Sequence, residues 1–436
     1  MSSDLARIHD ELLFVCAYPP TPRALRRAES ILRRFARRMK HVDPLLDPDT
    51  SGIAGTEVDM VFSYDFVRWL AARFPRQVRV DSEEPPDPER LAAALTRISP
   101  LFAEEVVDAH PLYFETVMKR GLPWLLDNLT AIEYDSLNLW IRWKFDAAHS
   151  RTRMRRKPRR VFYRRGPMLA RRDVSIEREL AGPRMRVSRL SRREGEKALE
   201  MVRAALATRY RELYSFTFGD PSTVLSADAG RGLEILLFGL VPERRLPLRA
   251  GFAPFVFRNG VPIGYGDAFG LCERMEVSFN IFYAFREGES AYAFARLLKL
   301  YQQLFGSSVF TIAPYQIGLD NDEAIDAGAY WFYRKLGFRS TDPQIERIAL
   351  REEARMALGP DHRTSPRVLR TMARGPMAYG SRDWDRFRIH DVVARGFDLP
   401  RALKRAKQGR TEQRYLKEMA RNETVRRALL SRGRRT

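Results

Sequence analysis

Cysteine is nearly absent from this sequence: Cys16 and Cys272 are the two in 436 residues. They stand far apart and without metal-ligand spacing, which argues against a disulfide framework and a structural zinc, so no metal and a reducing compartment are expected. Long apolar runs are missing too. No stretch approaches the ~18 residues of a membrane span, and a soluble, cytoplasmic chain is expected. The start, "MSSDLARIHDELLFVCAYPP", holds a short apolar patch but neither a basic leader nor a small-residue cleavage site, so no secretory signal is read there. Histidine is scarce. Its six positions are His9, His41, His110, His149, His362 and His390, and none falls between residues 184 and 345. No Ser-His-Asp or Cys-His arrangement can be assembled locally within that stretch.

Positive charge, in contrast, is abundant and unevenly placed. The formal net charge is +21. Residues 1–150 carry 19 basic against 23 acidic side chains, and residues 184–345 carry 21 against 18. Residues 151–183 carry 12 against 3, and residues 346–436 carry 24 against 11. The excess therefore lies in a short connecting segment and a C-terminal extension. Clustered cations of this kind suit a polyanion such as RNA, because they release counterions from phosphates; a solvated basic tail is the alternative.

The length and a hydrophobic fraction of 44% support two or three folded units. Residues 1–150 read as a helical N-terminal domain. "TPRALRRAESILRRFARRMK" has a Thr21 cap and Pro22 at a helix start. "VDMVFSYDFVRWLAARF" and "IEYDSLNLWIRWKF" read as further helices, with Trp140 and Trp143 as core residues, and "QVRV" as a short strand. "DPDTSGIAGTEVD" lacks the preceding strand of a phosphate loop and reads as a turn. "RTRMRRKPRRVFYRRGPMLARR", broken by Pro158 and Pro167, reads as the basic linker 151–183. Residues 346–436 read as a basic helical extension with few aromatics.

Between residues 184 and 345 the pattern becomes orderly. "RMRVSRLS" alternates as a strand, and "REGEKALEMVRAALATRYREL" has helical spacing. "DPSTVL" through "GLEILLFGL" reads as a second helical region with Asp220 or Ser222 as cap. "FAPFVFRNGVPIGYGDAF" reads as a hairpin turning on "RNG". Met275 to Phe285 reads as one strand, "REGESAYAFARLLKLYQQLF" as a helix and "SSVFTIAPYQI" as a strand. "EAIDAGAYWFYRKLGFRS" reads as the next helix, and a last strand is expected near "ERIAL".

This element order, and above all Tyr333-Arg334-Lys335-Leu336-Gly337-Phe338, resembles the GCN5-related N-acetyltransferase (GNAT) superfamily over residues 184–345. The resemblance implies an α+β fold with a mixed, mostly antiparallel sheet flanked by helices. It implies two neighbouring strands that splay apart to take the pantetheine arm of acyl-CoA, here Val277 to Phe285 parting from Val309 to Tyr315. Phe282, Tyr283 and Ala284 would then face the donor. The diphosphate would sit at a helix N-terminus, where free N–H groups favour anions, on Arg286, Gly288, Ser290 and Ala291. The glycine stands one position earlier than in the family pattern, and Glu287 and Glu289 bring negative charge to the same loop. Asn321 would begin the following helix. Tyr333 would protonate the leaving thiolate. Asp267 and Glu276 are the carboxylates placed to serve as base. On the acceptor side stand Arg209, Arg211, Glu212 and Tyr214, with Tyr315 and Gln316 near the splay.

Three functions follow as expectations. The first is acyl transfer from acyl-CoA to a small-molecule or peptide amine. The second is a transferase of related fold that takes its donor from aminoacyl-tRNA, held by the basic segments. The third is a non-catalytic relative that binds nucleic acid or protein.

Overall fold

The structure is a computed structural model and describes residues 2–38, 52–246, 248–359, 361–381, 383–385 and 388–398. Residues 399–436, most of the basic part of the expected extension, lie outside them. The chain divides into two compact units. The first holds the described residues of Met1–Cys16, Pro22–Arg155 and Leu199–Thr217; the second holds those of Ala17–Thr21, Arg156–Ala198 and Phe218–Thr436.

The first unit is not purely helical. Helices α1 (Ser2–Ala17) and α2 (Pro22–Arg38) are followed by β1 (Glu57–Val61), α3 (Tyr64–Arg73), β2 (Val78–Val80), α4 (Pro88–Ile98), α5 (Ala103–Asp108), α6 (His110–Asn128), α7 (Ala131–Leu137) and β3 (Trp140–Lys144). The strands form an antiparallel sheet in the order β1-β3-β2. Two expected helices are therefore each a strand and a helix joined. Ser63 separates β1 from α3 because its hydroxyl caps the helix at Phe66 N. Asn138, in the left-handed region, ends α7 before β3. As strand residues three apart, Trp140 and Trp143 face opposite ways: Trp143 is fully buried and Trp140 is 40% exposed.

The second unit is built on an 11-stranded, mostly antiparallel sheet with helices, an α+β architecture. Its elements begin with α8 (Ile176–Ala181), β4 (Arg186–Arg189) and α9 (Arg192–Ala207); α9 continues into the first unit's segment, which carries α10 (Tyr214–Thr217). Then come β5 (Gly219–Gly230), β6 (Leu233–Leu240), β7 (Ala250–Arg258), β8 (Val261–Tyr265), β9 (Ala268–Leu271), β10 (Arg274–Val277) and β11 (Asn280–Ile281). The helical region expected over 220–240 is thus the hairpin β5–β6. Gly230, Arg231 and Gly232 all have positive φ in its turn, and Leu233 to Leu240 is buried between its neighbours β5 and β7. The "RNG" hairpin is as read: Asn259 and Gly260 both have positive φ, the requirement of a two-residue primed turn.

Strand β10 crosses through α11 (Ser290–Phe305) to the parallel strand β12 (Val309–Ile312), since parallel neighbours need a crossover. The stretch expected as one long helix breaks at Gly328 (φ 64) into α12 (Asp322–Asp326) and α13 (Ala329–Lys335). Strand β13 (Arg339–Ser340) follows, and "ERIAL" lies in α14 (Pro343–Leu358), whose start is fixed by the Asp342 cap and Pro343. The last strand comes later. After α15 (Pro366–Met372), β14 (Met377–Tyr379) inserts between β12 and β13, ahead of α16 (Ile389–Asp398). The expected boundary at 345 therefore cuts through α14 and removes a strand the sheet contains.

Residues 151–183 are not a free linker either. Beyond Arg155 they belong to the second unit, where α8 packs on α11 and carries Glu179, ion-paired to Arg296 at 3.1 Å. Among the described residues no helix is long and apolar enough to cross a membrane, and no cluster of His, Cys, Asp or Glu is placed to hold a metal.

The Arg334 side chain is fully buried and ties α13 to α14, with Nη1 on both Glu346 oxygens (2.7 and 2.6 Å) and Nε and Nη2 on Glu353 (2.9 and 2.8 Å). Breaking a buried pair by removing one partner costs about 3–5 kcal/mol; because both glutamates regain water, the lower end is expected for Arg334→Met in urea unfolding. A change below about 0.5 kcal/mol would show that the clamp does not hold these helices.

Candidate functional site

The strands β10 and β12 pair for three residues only, Arg274 with Val309, Met275 with Phe310 and Glu276 with Thr311. Past that point they separate. The β10 chain stays with its other neighbours: Val277 pairs with Ala268, Ser278 N donates to Asp267 O, and β11 pairs with β8. Strand β12 instead ends in the single turn Pro314–Ile317. The expected continuous strand to Phe285 is therefore interrupted, with Tyr283–Phe285 a turn of 3-10 helix.

Side chains occupy the fork. Gln316 Nε2 donates to Phe279 O at 3.1 Å and to the Tyr333 hydroxyl at 3.3 Å, with Asn280 Oδ1 at 3.4 Å. The Tyr333 hydroxyl in turn donates to Phe279 O at 3.5 Å. Its ring, 1% exposed, packs edge-on against Phe294, Phe332 and Phe338. Burial pushes the phenol well above its ordinary value, against a smaller opposing effect of Gln316, so it keeps its proton throughout the physiological range. Nearby, Tyr315 and Tyr283 are 62% and 80% exposed, Phe282 is buried and Ala284 is partly buried. Asn321 caps α12 at Ala324 N and also donates to Tyr315 O.

The start of α11 is closed by protein groups. Glu289 is buried and its carboxylate is held by Arg231 and by the buried Arg258 at 2.8 Å. The Glu289 N–H donates to the Tyr18 hydroxyl at 3.3 Å, and a Cβ on Gly288 would stand 2.4 Å from that oxygen. Ser290 and Ala291 open the helix, while Arg286 is paired with Glu323 at 2.8 Å. The position where the resemblance puts a diphosphate thus carries a tyrosine and a neutralised carboxylate.

Glu276 is ion-paired with Arg274 at 3.3 Å; Arg274 also binds Asp385 at 2.9 Å and lies over the Trp384 ring. Asp267 is half-buried at the end of β8, and its charge acts on buried Tyr301. Arg209, Arg211 and Tyr214 belong to the first unit, where Arg209 Nη1 donates to Ala205 O at 2.7 Å. Glu212 takes hydrogen bonds there from Ser63 N at 2.8 Å and from Thr217 Oγ1 at 2.8 Å. Tyr18 escaped sequence reasoning because it lies some 270 residues from the loop it fills, and no local pattern marks such a contact.

Two buried polar groups of the first unit were also unforeseen. Asp59 and Asp81 both lie against Arg142, which contacts them at 3.1 and 2.6 Å. Burial and the second carboxylate raise Asp59 to about 6. Against the opposing effect of burial, the Asp59 carboxyl and Arg142 hold Asp81 below its usual range. His9 Nε2 lies 2.9 Å from Thr152 Oγ1, with Asp10 Oδ1 at 3.5 Å from Nδ1. The order Thr-His-Asp is that of a nucleophile triad, but Thr152 is 1% exposed and already accepts Ala54 N–H. This group ties α1 to the chain around residue 152.

Burial also lowers the His9 imidazole to about 4. Unfolded, it would bind a proton near pH 6.5, so stability should fall as pH drops from about 6.5 to about 4, by roughly 3 kcal/mol. Asp59 has the opposite sign, losing stability as pH rises from about 4 to about 6. Denaturant unfolding of His9→Gln should lack the acid-side loss; an unchanged difference between pH 6.5 and pH 4 would remove His9 from it.

Comparison of this chain with family models, curated proteins and solved structures returns no match.

Proposed function

We propose that the second unit is an N-acyltransferase of GNAT-like fold whose acyl donor enters the fork between β10 and β12. The observation that carries this reading is the separation of these parallel strands after Glu276 and Thr311, with Phe279 O turned to side chains instead of a strand. Support comes also from the order β10-β12-β14-β13 and from the place of Tyr333 at the fork. In this reading an amine attacks the thioester carbonyl directly. The C–N bond forms, the tetrahedral intermediate collapses with loss of the C–S bond, and the Tyr333 phenol gives its proton to the departing thiolate. The hydroxyl must first leave Phe279 O, so the donor takes over contacts that Gln316 and Tyr333 make in its absence. The ion pair of Glu276 with Arg274 favours water over that carboxylate as the immediate acceptor of the amine proton.

The closed start of α11 favours one variant of this scheme. With Tyr18 and Glu289 in place, the donor's charged end is not held there, as it would be for acyl-CoA in the resembling family. A donor carried on a larger polyanion, such as aminoacyl-tRNA, needs no diphosphate cradle at that helix; there the C–O bond of the ester breaks and the proton goes to the departing ribose oxygen.

Thermal unfolding with acetyl-CoA and longer acyl-CoA tests the first form. At a hundredfold excess over Kd, binding should stabilise by about 2.7 kcal/mol. In a transfer assay with mixed amines, Tyr333→Phe should keep this shift and lose about a hundredfold or more in rate, the lower end of the effect of one general acid. Undiminished transfer by Tyr333→Phe would remove the phenol from the mechanism. Absence of any shift with every thioester would leave the aminoacyl-tRNA form.

A further inference from the structure

The segment from Arg156 to Pro167 forms a strap over the sheet and encloses a groove of about 1060 Å³. The strap is pinned along its length. Arg156 N donates to Gly260 O at 2.8 Å, Phe162 N to Asn259 Oδ1 at 2.8 Å, and Arg164 N to Pro19 O at 2.9 Å. The Phe162 ring lies under Arg231 and Arg258, at 4.9 and 5.3 Å. A Cβ on Gly260 would come within 1.9 Å of Arg156 O, so the closeness of strap and hairpin requires that glycine. One face of β4, β5 and β6 makes the floor, where Arg186 pairs in register with Asp228, and Asp228 with Glu234.

Eight cationic and three acidic side chains line this groove. The acids are already engaged: Glu234 by Arg156 at 3.0 Å and Ser226 at 2.7 Å, Asp228 by Gly230 N at 3.1 Å, and Glu194 by Ser191 at 2.6 Å. Lys157, Arg159, Arg160 and Arg165 are exposed, and no hydrogen bond or ion pair joins them to a protein acceptor among the described residues. Tyr163 stands among them, partly exposed.

We propose that this groove binds the phosphodiester backbone of a single-stranded polynucleotide. Unpaired cations along a channel track a phosphate chain, and an adjacent aromatic ring gives a base a surface to stack on. The volume stands at the upper end of ordinary small-molecule pockets, about 300–1,000 Å³. None of the large exposed apolar side chains lies in the groove, which disfavours a bilayer surface as occupant. Because the strap is fixed before binding, little ordering free energy opposes association. The inference does not depend on acyl transfer, and its failure leaves that reading intact.

The test is fluorescence anisotropy of the full chain with labelled oligo(U) and oligo(dT) of about twelve nucleotides, from roughly 50 mM salt upward. The variant Lys157→Ala/Arg159→Ala/Arg160→Ala/Arg165→Ala should bind at least tenfold more weakly than the charge-matched Arg23→Ala/Arg26→Ala/Arg27→Ala/Arg33→Ala. Its slope of log K against log salt should be shallower by about 2.8, four contacts at about 0.7 each. Binding to either oligomer that the strap variant weakens more than the α2 variant supports the proposal. Melting curves report whether the variants fold, and Arg159→Glu/Arg160→Glu gives an independent loss. Equal losses in the two quadruple variants, or no binding at low salt, or binding to anionic vesicles alone, would overturn it.

Discussion

A parallel ladder of three residues, Arg274–Glu276 against Val309–Thr311, is the joint on which the second unit turns. To its one side β9, β7, β6, β5 and β4 continue antiparallel; to its other side stand β14 and β13. Because β10 remains bonded to β9 and its continuation to β8, the separation past Glu276 leaves main-chain groups without a strand partner. A buried carbonyl in that position must find donors or cost roughly 1–3 kcal/mol. Gln316 and Tyr333 provide them for Phe279, so under the proposed function the side chains that fill the fork are those a substrate would have to engage.

The same economy of burial governs the start of α11. Glu289 carries a charge into an interior position, and Arg231, Arg258 and the Leu169 N–H make that tolerable. Tyr18, between them and Gly288, converts a helix N-terminus open to anions into a packed junction. Under the proposed function uncharged atoms of a donor would sit in the fork, while among the described residues Lys157, Arg159, Arg160 and Arg165 present exposed positive charge along the strap. A polyanionic carrier of the acyl group would use both, whereas a small thioester would use the first.

What the sequence could reveal followed the range of the physics involved. Charge needs no geometry, so the basic character of 151–183 was legible, although its role as a pinned strap was not. Local turn chemistry was legible where it was strong, as in Asn259-Gly260. Where apolar runs are short and uninterrupted, period does not separate helix from strand, and it is pairing with β5 and β7 that makes Leu233–Leu240 a strand. The Tyr333 motif placed the aromatic helix near the strands, but the break at Gly328 and the late strand Met377–Tyr379 were invisible to local patterns. Tyr18 against Gly288, His9 against Thr152, and Asp59 against Asp81 are contacts between distant segments, and composition carries no trace of them.

Under the proposed function the fork past Glu276 and Thr311 takes an acyl donor. Backbone hydrogen exchange tests it most directly, measured with and without acyl-CoA or an aminoacylated RNA. Slowed exchange concentrated in Val277–Ile281 and Ala313–Ile317 is expected when a donor binds. Protection elsewhere with these two segments unchanged, under conditions where binding is complete, would contradict it.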